Sequence, residues 1–257
     1  MLTCVNWATP HEPLFLCRNE VHVWWLTLDE YAVYLERFLE RLSAEELERA
    51  GRYYNQKDRD HFVIARGITR TLLGGYLTLA PKEVQFRYNS FGKPAIANQN
   101  KDLRFNLSHS HGLALLAVTR EREVGVDIEY QCIETPTEDI AKRFFSAVEV
   151  MSLAALPKDM QLEGFFKCWT RKEAFIKAIG EGLSFPLDQF SVSFHPSELP
   201  KLRHVAGNSQ ETNRWSFWDV SPNSEYAAAL VVEGTNLQLS CFRGLPHLGG
   251  IGGSSPQ

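Results

Sequence analysis

Alternating and 3.6-residue hydrophobic patterns change places along the chain without settling into a regular strand-helix-strand repeat. The run "VHVWWLTL" (21–28) predicts a strand and "DEYAVYLERFLERL" after it a helix. Ser43, with Glu46 three residues on, predicts a capping box opening another helix. An amphipathic helix is expected from about Lys57 to Leu79, loosened at its end by Gly74 and Gly75. Strands are expected at 83–88, 103–109 and 113–119, the first two separated by the turn "NSFGKP". A strand at 123–129, a helix near 138–145 and a capping box of Ser146 and Glu149 follow. The helix in "LEGFFKCWTRKEAFIKAIGEG" should stop at Gly180 and Gly182. Strands near 190–195, 215–220, 226–232 and 237–242 complete the pattern. The order implies an α+β fold of two similar lobes, 1–120 and 121–245, with a Gly/Ser/Pro-rich tail, 246–257, expected to be disordered.

Composition narrows the setting. With 257 residues, 44% hydrophobic and 12% aromatic, the chain can bury a sizeable core. A formal charge of -4 gives no global pull toward nucleic acid or anionic lipid, so any phosphate binding must come from local cations. Five scattered cysteines, none in a C-x-x-C pair, argue against a disulfide framework or zinc site and fit a reducing cytoplasm. The apolar runs are too short to span a bilayer, and the N-terminus lacks the pattern of a signal peptide.

Two places break the apolar pattern with acid. In "GVDIEY", Asp127 and Glu129 lie two apart on a strand and share a face. Such a pair belongs at a wet edge, or it has a cation between its members. In the helix "FFKCWTRKEAFIK", at about 100° per residue, Leu162, Phe166 and Trp169 fall within roughly 40° of Glu173, with Ile176 slightly farther round. A carboxylate in that sector is costly unless compensated, and Lys177 at i+4 could pair with it. Three acids lacking obvious partners suit a hard divalent cation, whose remaining coordination positions typically go to water and phosphate oxygens. Candidate phosphate ligands are Lys93 in "FGKP", the Ser108–His109–Ser110 cluster in "FNLSHS", and Arg66 and Arg70 at i, i+4.

The ordered set "FGKP", "FNLSHS", "GVDIE" and "FFKCWTRKEAFIKAIGEGL" resembles the 4'-phosphopantetheinyl transferases of the long single-chain type, over roughly 45–195. The resemblance implies a pseudo-twofold pair of α+β lobes, a monomer, with coenzyme A bound between them. It implies that Asp127, Glu129 and Glu173 bind Mg²⁺ (or Mn²⁺) beside the pyrophosphate and that Lys93, Ser108 and His109 hold the 3'-phosphate and neighbouring nucleotide. Arg66, Arg70 and Lys172 would assist with coenzyme A. Glu173 and Lys177 would be catalytic: a carrier-protein serine attacks the pantetheine-side phosphate and 3',5'-ADP leaves. The segment "YYNQKDRDH" departs from the pattern: lysines that some relatives place there are not aligned, so the resemblance does not settle whether Lys57 and His61 contact phosphate. Carrier proteins present an acidic helix, and "AKRFFS", with Phe144 and Phe145, is the expected docking segment or else ordinary core. A metal-dependent phosphodiesterase or nuclease, or a non-catalytic coenzyme A- or carrier-binding protein, are the other classes the same residues would serve.

Overall fold

The computed structural model describes residues 6–10, 14–99, 102–195 and 198–246. The expected tail therefore lies, but for Pro246, outside the described residues. In the first half, β1 (Trp7–Ala8) and β2 (Glu20–Thr27) lead through a 3-10 turn at Leu28–Tyr34 to α1 (Leu35–Leu39), α2 (Ala44–Ala50) and α3 (Gln56–Leu77). Then come β3 (Phe86–Tyr88), β4 (Pro94–Ile96), β5 (Leu103–Ser110) and β6 (Leu113–Arg120). The second half contains β7 (Val124–Tyr130), α4 (Thr137–Phe144), α5 (Ala147–Ala154), α6 (Lys158–Ile179), β8 (Phe190–Val192), β9 (Leu202–Val205), β10 (Trp215–Asp219), β11 (Tyr226–Glu233) and β12 (Gln238–Arg243).

Two sheets stand back to back, each covered by one long helix. One has the order β1-β12-β2-β6-β5, the other β10-β11-β7. Alternation along the strands makes the layers. Trp24 and Leu26 of β2, with Leu116 and Val118 of β6, face α3. Val21, Val23, Leu115 and Ala117 from the same strands meet Val124, Val126, Ile128, Ala228 and Leu230 between the sheets. Ala227, Ala229 and Val231 of β11 face α6. Strands buried on both faces have no polar side, which is why "LALLAV" reads as continuous hydrophobe.

The expectations differ from the structure at several points. The helix expected over 29–42 is split into a 3-10 turn and the short α1. Gly74 and Gly75 do not loosen α3. It ends at Thr78 in a left-handed conformation (φ 57°), and a Cβ on Gly74 would lie 2.7 Å from the Leu79 carbonyl oxygen. The last strand leaves the second lobe: β12 pairs parallel to both β1 and β2 and so sits inside the first sheet.

The two halves share one tie. Ser43 and Glu46 form a capping box on α2, and Ser146 and Glu149 form one on α5, as expected. Both glutamates are also buried and paired to the long helix that follows. Glu46 accepts from Arg66 Nε at 2.9 Å and Arg70 Nε at 2.7 Å. Glu149 accepts from Lys172 Nζ at 2.7 Å. Arg70 and Lys172 each stand fourteen residues after the first residue of a 22-residue helix (56 to 70, 158 to 172). Each also donates to a carbonyl beyond its helix, Val84 or Phe190.

Candidate active site

The site lies where the outer edges of the two sheets meet under α6. Even-numbered side chains of β5 form a row of bridges to β7 that backbone pairing does not supply. Asn106 Oδ1 accepts from Val126 N at 2.8 Å, Ser108 Oγ donates to Asp127 Oδ1 at 2.9 Å, and Ser110 Oγ donates to Glu129 Oε2 at 3.1 Å. Ser110 Oγ also accepts from Tyr130 N at 3.2 Å. The alternation of Phe105 and Leu107 with Asn106, Ser108 and Ser110 carried this signal, since apolar positions facing one helix leave the intervening positions to face the other sheet.

Gly125 sets the distance between β7 and α6. A Cβ there would come within 2.0 Å of the Ala174 carbonyl oxygen and 2.4 Å of Ala178 N, so only glycine lets the strand lie this close to the helix. The next residue on the same face is Asp127, which is 2% exposed and so is not at a wet edge. Its Oδ1 is 2.5 Å from Lys177 Nζ, which also donates to Ser108 Oγ at 3.1 Å. Asp127 Oδ2 is buried and has no hydrogen-bond partner. Lys177 thus reaches across to the strand, and the i,i+4 pair with Glu173 is not formed.

Electrostatics place the third acid in the same group. Burial, followed by the charges of Asp127 and Glu129, pushes the Glu173 pKa from 4.5 to about 7, with Lys177 opposing. Glu129 is raised by burial and by Asp127, against the Ser110 hydrogen bond and Lys177. Burial pulls Lys177 down, and Asp127, Glu173 and Glu129 more than reverse that pull. The three carboxylates share one field without forming a finished cage. Among the described residues, no three His, Cys, Asp or Glu side chains are already arranged to hold a metal ion. The buried, unpartnered Asp127 Oδ2 does fit a cation, because it is an acceptor with nothing to accept.

His109, beside this group, reaches solvent, and desolvation, Lys177 and His61 together hold its pKa below 6.5. Four other expected residues are committed elsewhere. Lys172 is 1% exposed, held by Glu149 and the Phe190 carbonyl with its ammonium 4.1 Å from the Phe190 ring centroid, inside the second lobe's core. Arg70 is locked between Glu46 and the Val84 carbonyl. Arg66 pairs with Glu46 and donates to Tyr88 Oη at 2.8 Å. Lys93 Nζ caps the C-terminal end of α6 through the Ala178 carbonyl at 2.9 Å and pairs with Glu123 at 2.9 Å, helped by Asn89 Nδ2, which donates to Gly180 O at 2.7 Å. Sequence did not foretell these pairings, since a cation on an amphipathic helix or turn looks the same whether its partner is a ligand or a buried glutamate. Phe145 is core, 5.4 Å from Phe165 in a stacked pair, while the half-buried Phe144 meets Trp169 edge-on.

Comparison with known proteins decides the family. Residues 27–121 match the family described as 4'-phosphopantetheinyl transferase, N-terminal, and residues 123–231 match the 4'-phosphopantetheinyl transferase superfamily. The chain belongs to the 4'-phosphopantetheinyl transferases. It is 38% identical over 235 residues to the 4'-phosphopantetheinyl transferase HetI of Nostoc sp., covering 91% of this chain and 96% of that one. It is 36% identical over 160 residues to the 4'-phosphopantetheinyl transferase Sfp of Bacillus subtilis, covering 62% of this chain and 70% of that one. A crystal structure of Helicobacter pylori holo-[acyl-carrier-protein] synthase in complex with coenzyme A aligns with 43% of this chain and 99% of its own at 23% identity, TM-score 0.31. As a phosphopantetheinyl transferase of the single-chain, two-lobe type, this chain is an enzyme that activates carrier proteins. The phosphodiesterase and the non-catalytic binder are set aside.

Proposed function

We propose that the chain transfers 4'-phosphopantetheine from coenzyme A to a serine hydroxyl of an apo-acyl or peptidyl carrier protein, with Asp127, Glu129 and Glu173 holding Mg²⁺ or Mn²⁺. The observation that carries the proposal is the buried, unpartnered Asp127 Oδ2 in the same field as a glutamate whose pKa is about 7. A bound divalent cation supplies neutralisation of the diphosphate charge as the bond to phosphorus changes hands.

The chain's own groups do the rest. The serine oxygen bonds to the pantetheine-side phosphorus, the P–O bond to the nucleotide phosphate breaks, and 3',5'-ADP leaves. Glu173, directly or through a metal-bound water, accepts the serine proton. Lys177, kept protonated by its acidic neighbours, steadies the leaving phosphate. Ser108 and His109 contact the nucleotide end. No helix in the described residues is long and apolar enough to cross a membrane. The reading that the enzyme is a cytoplasmic monomer is supported by one chain supplying both walls of the site and by free Cys17, Cys132, Cys168 and Cys241. The carrier's acidic helix docks against the outer face of α4 and α5, where Lys142 and Arg143 are exposed beside Val148 and Met151.

The test is intact mass spectrometry of an apo-carrier incubated with the protein, coenzyme A and Mg²⁺. The carrier should gain one phosphopantetheine group, and EDTA should prevent the gain. An unmodified carrier under all metal conditions refutes the proposal.

A further inference from the structure

The first lobe contributes a second wall to this cleft, and one pair of side chains on it has no role in the chemistry above. Asp29, in the turn after β2, places Oδ1 2.7 Å from Nε2 of His61, in the second turn of α3. Lys57 Nζ lies 3.6 Å from Asp29 Oδ2. The His61 side chain is only 12% exposed, yet its Nδ1 makes no hydrogen bond among the described residues. The surroundings hold the pair in place. The Gly112 carbonyl accepts from Leu28 N at 2.8 Å, beside Asp29 in the chain, and a Cβ on Gly112 would lie 3.4 Å from Asp29 Oδ2 and 3.6 Å from His61 Cε1. Gly112 itself sits at φ +83°, a left-handed conformation that favours glycine in the hairpin between β5 and β6.

His61 is close enough to His109 to depress its pKa, as are Lys177 and Arg49, while Asp58 opposes them. With Asp29 counted beside Asp58, nitrogen-bearing side chains around His109 (His61, Lys177 and Arg49) still outnumber carboxylates by three to two, which suits an anion. A carboxylate accepting at Nε2 keeps a proton on that nitrogen and fixes the orientation of the ring, and with it the direction of Nδ1. We propose that Asp29 is a positioning residue for coenzyme A, orienting His61 so that Nδ1 meets, beside His109, the phosphate monoester on the ribose. The inference rests on the coenzyme A reading of the cleft. It adds a specificity device: the dyad distinguishes a nucleotide that carries the ribose phosphate from one that lacks it.

Two measurements test it. Binding of 3',5'-ADP is followed by calorimetry in EDTA, and transfer kinetics are compared with coenzyme A and with its 3'-dephospho form. D29N should weaken 3',5'-ADP about tenfold and raise KM for coenzyme A by a similar factor, with kcat within about twofold and the dephospho substrate little affected. H61A should show the same loss, D29N/H61A no more than H61A alone, and D29E should restore most of it. A D29N chain with an unchanged melting temperature and wild-type affinity for 3',5'-ADP overturns the inference, as does an equal loss for both substrates. Failure of the wild-type protein to modify a carrier is a different result: it rejects the coenzyme A reading, whereas 3',5'-ADP binding bears on the dyad by itself.

Discussion

Glu173 is the side chain on which the site's acid-base behaviour turns. Its pKa of about 7 exceeds the ordinary 4.5, so the native state binds this proton more tightly than the unfolded chain does. Stability from this group is full below pH 4.5, falls as pH rises through about 7, and levels off above it. The loss approaches about 3 kcal/mol as an upper bound in the metal-free protein. Glu129, shifted the same way, adds to it. Thermal melts in EDTA between pH 4.5 and 8 should show the decline, and E173Q should flatten it while lowering kcat about 100-fold or more. A flat wild-type profile would mean that the acids do not share a field. This part of the site was legible in sequence, because an acid in an apolar sector and a D-x-E on an apolar strand each contradict their surroundings. The route of compensation was not legible: i+4 spacing points Lys177 at Glu173, and only the close approach allowed by Gly125 brings it to Asp127 instead.

At the scale of elements, the pairings of Arg70 and Lys172 are one arrangement made twice. Both cations fill the same place on equivalent helices, gripping a capping-box glutamate and a carbonyl beyond the helix. The capping boxes were readable as short-range spacing. The long-range use of the same glutamates was not, since one carboxylate can cap its own helix and neutralise a distant cation at once. Removing one partner of such a buried pair leaves the other charge stranded, which costs roughly 3–5 kcal/mol. K172M should therefore lower the unfolding free energy by that amount, seen as a lower denaturation midpoint, yet leave KM for coenzyme A unchanged in the folded fraction. The double variant E149L/K172M, which strands no charge, should recover much of the stability. A raised KM with an unchanged midpoint would return Lys172 to the coenzyme A site. Gly125 belongs to this scale too: G125A drives a methyl into the α6 backbone, and both stability and turnover should fall, by about 1–3 kcal/mol or more for the former.

For the whole molecule, the two-lobe plan was readable because each half offers a long helix and a set of alternating strands. The place of β12 was not, because strand partners are chosen by the sheet and not by sequence order. The chain's last strand is inserted between β1 and β2, so the first sheet cannot be completed until the second lobe's sequence has ended. Phe242 packs 4.8 Å from the Trp24 ring and 5.1 Å from His22, and Cys241 is buried between the sheets. The site at the opposite edge of that sheet, on β5, is thus supported through β6 and β2 by residues 238–243. A chain ending at Thr235 should be less stable than one ending at Pro246 by on the order of 3–5 kcal/mol, the worth of two or so buried side chains. Amide exchange should accelerate most in β2 and β6, with α6 and β11 the last to lose protection. If the shorter chain keeps the longer one's midpoint and exchange pattern, the last strand is an ornament of the first sheet, and the lobes divide where the sequence alone would divide them.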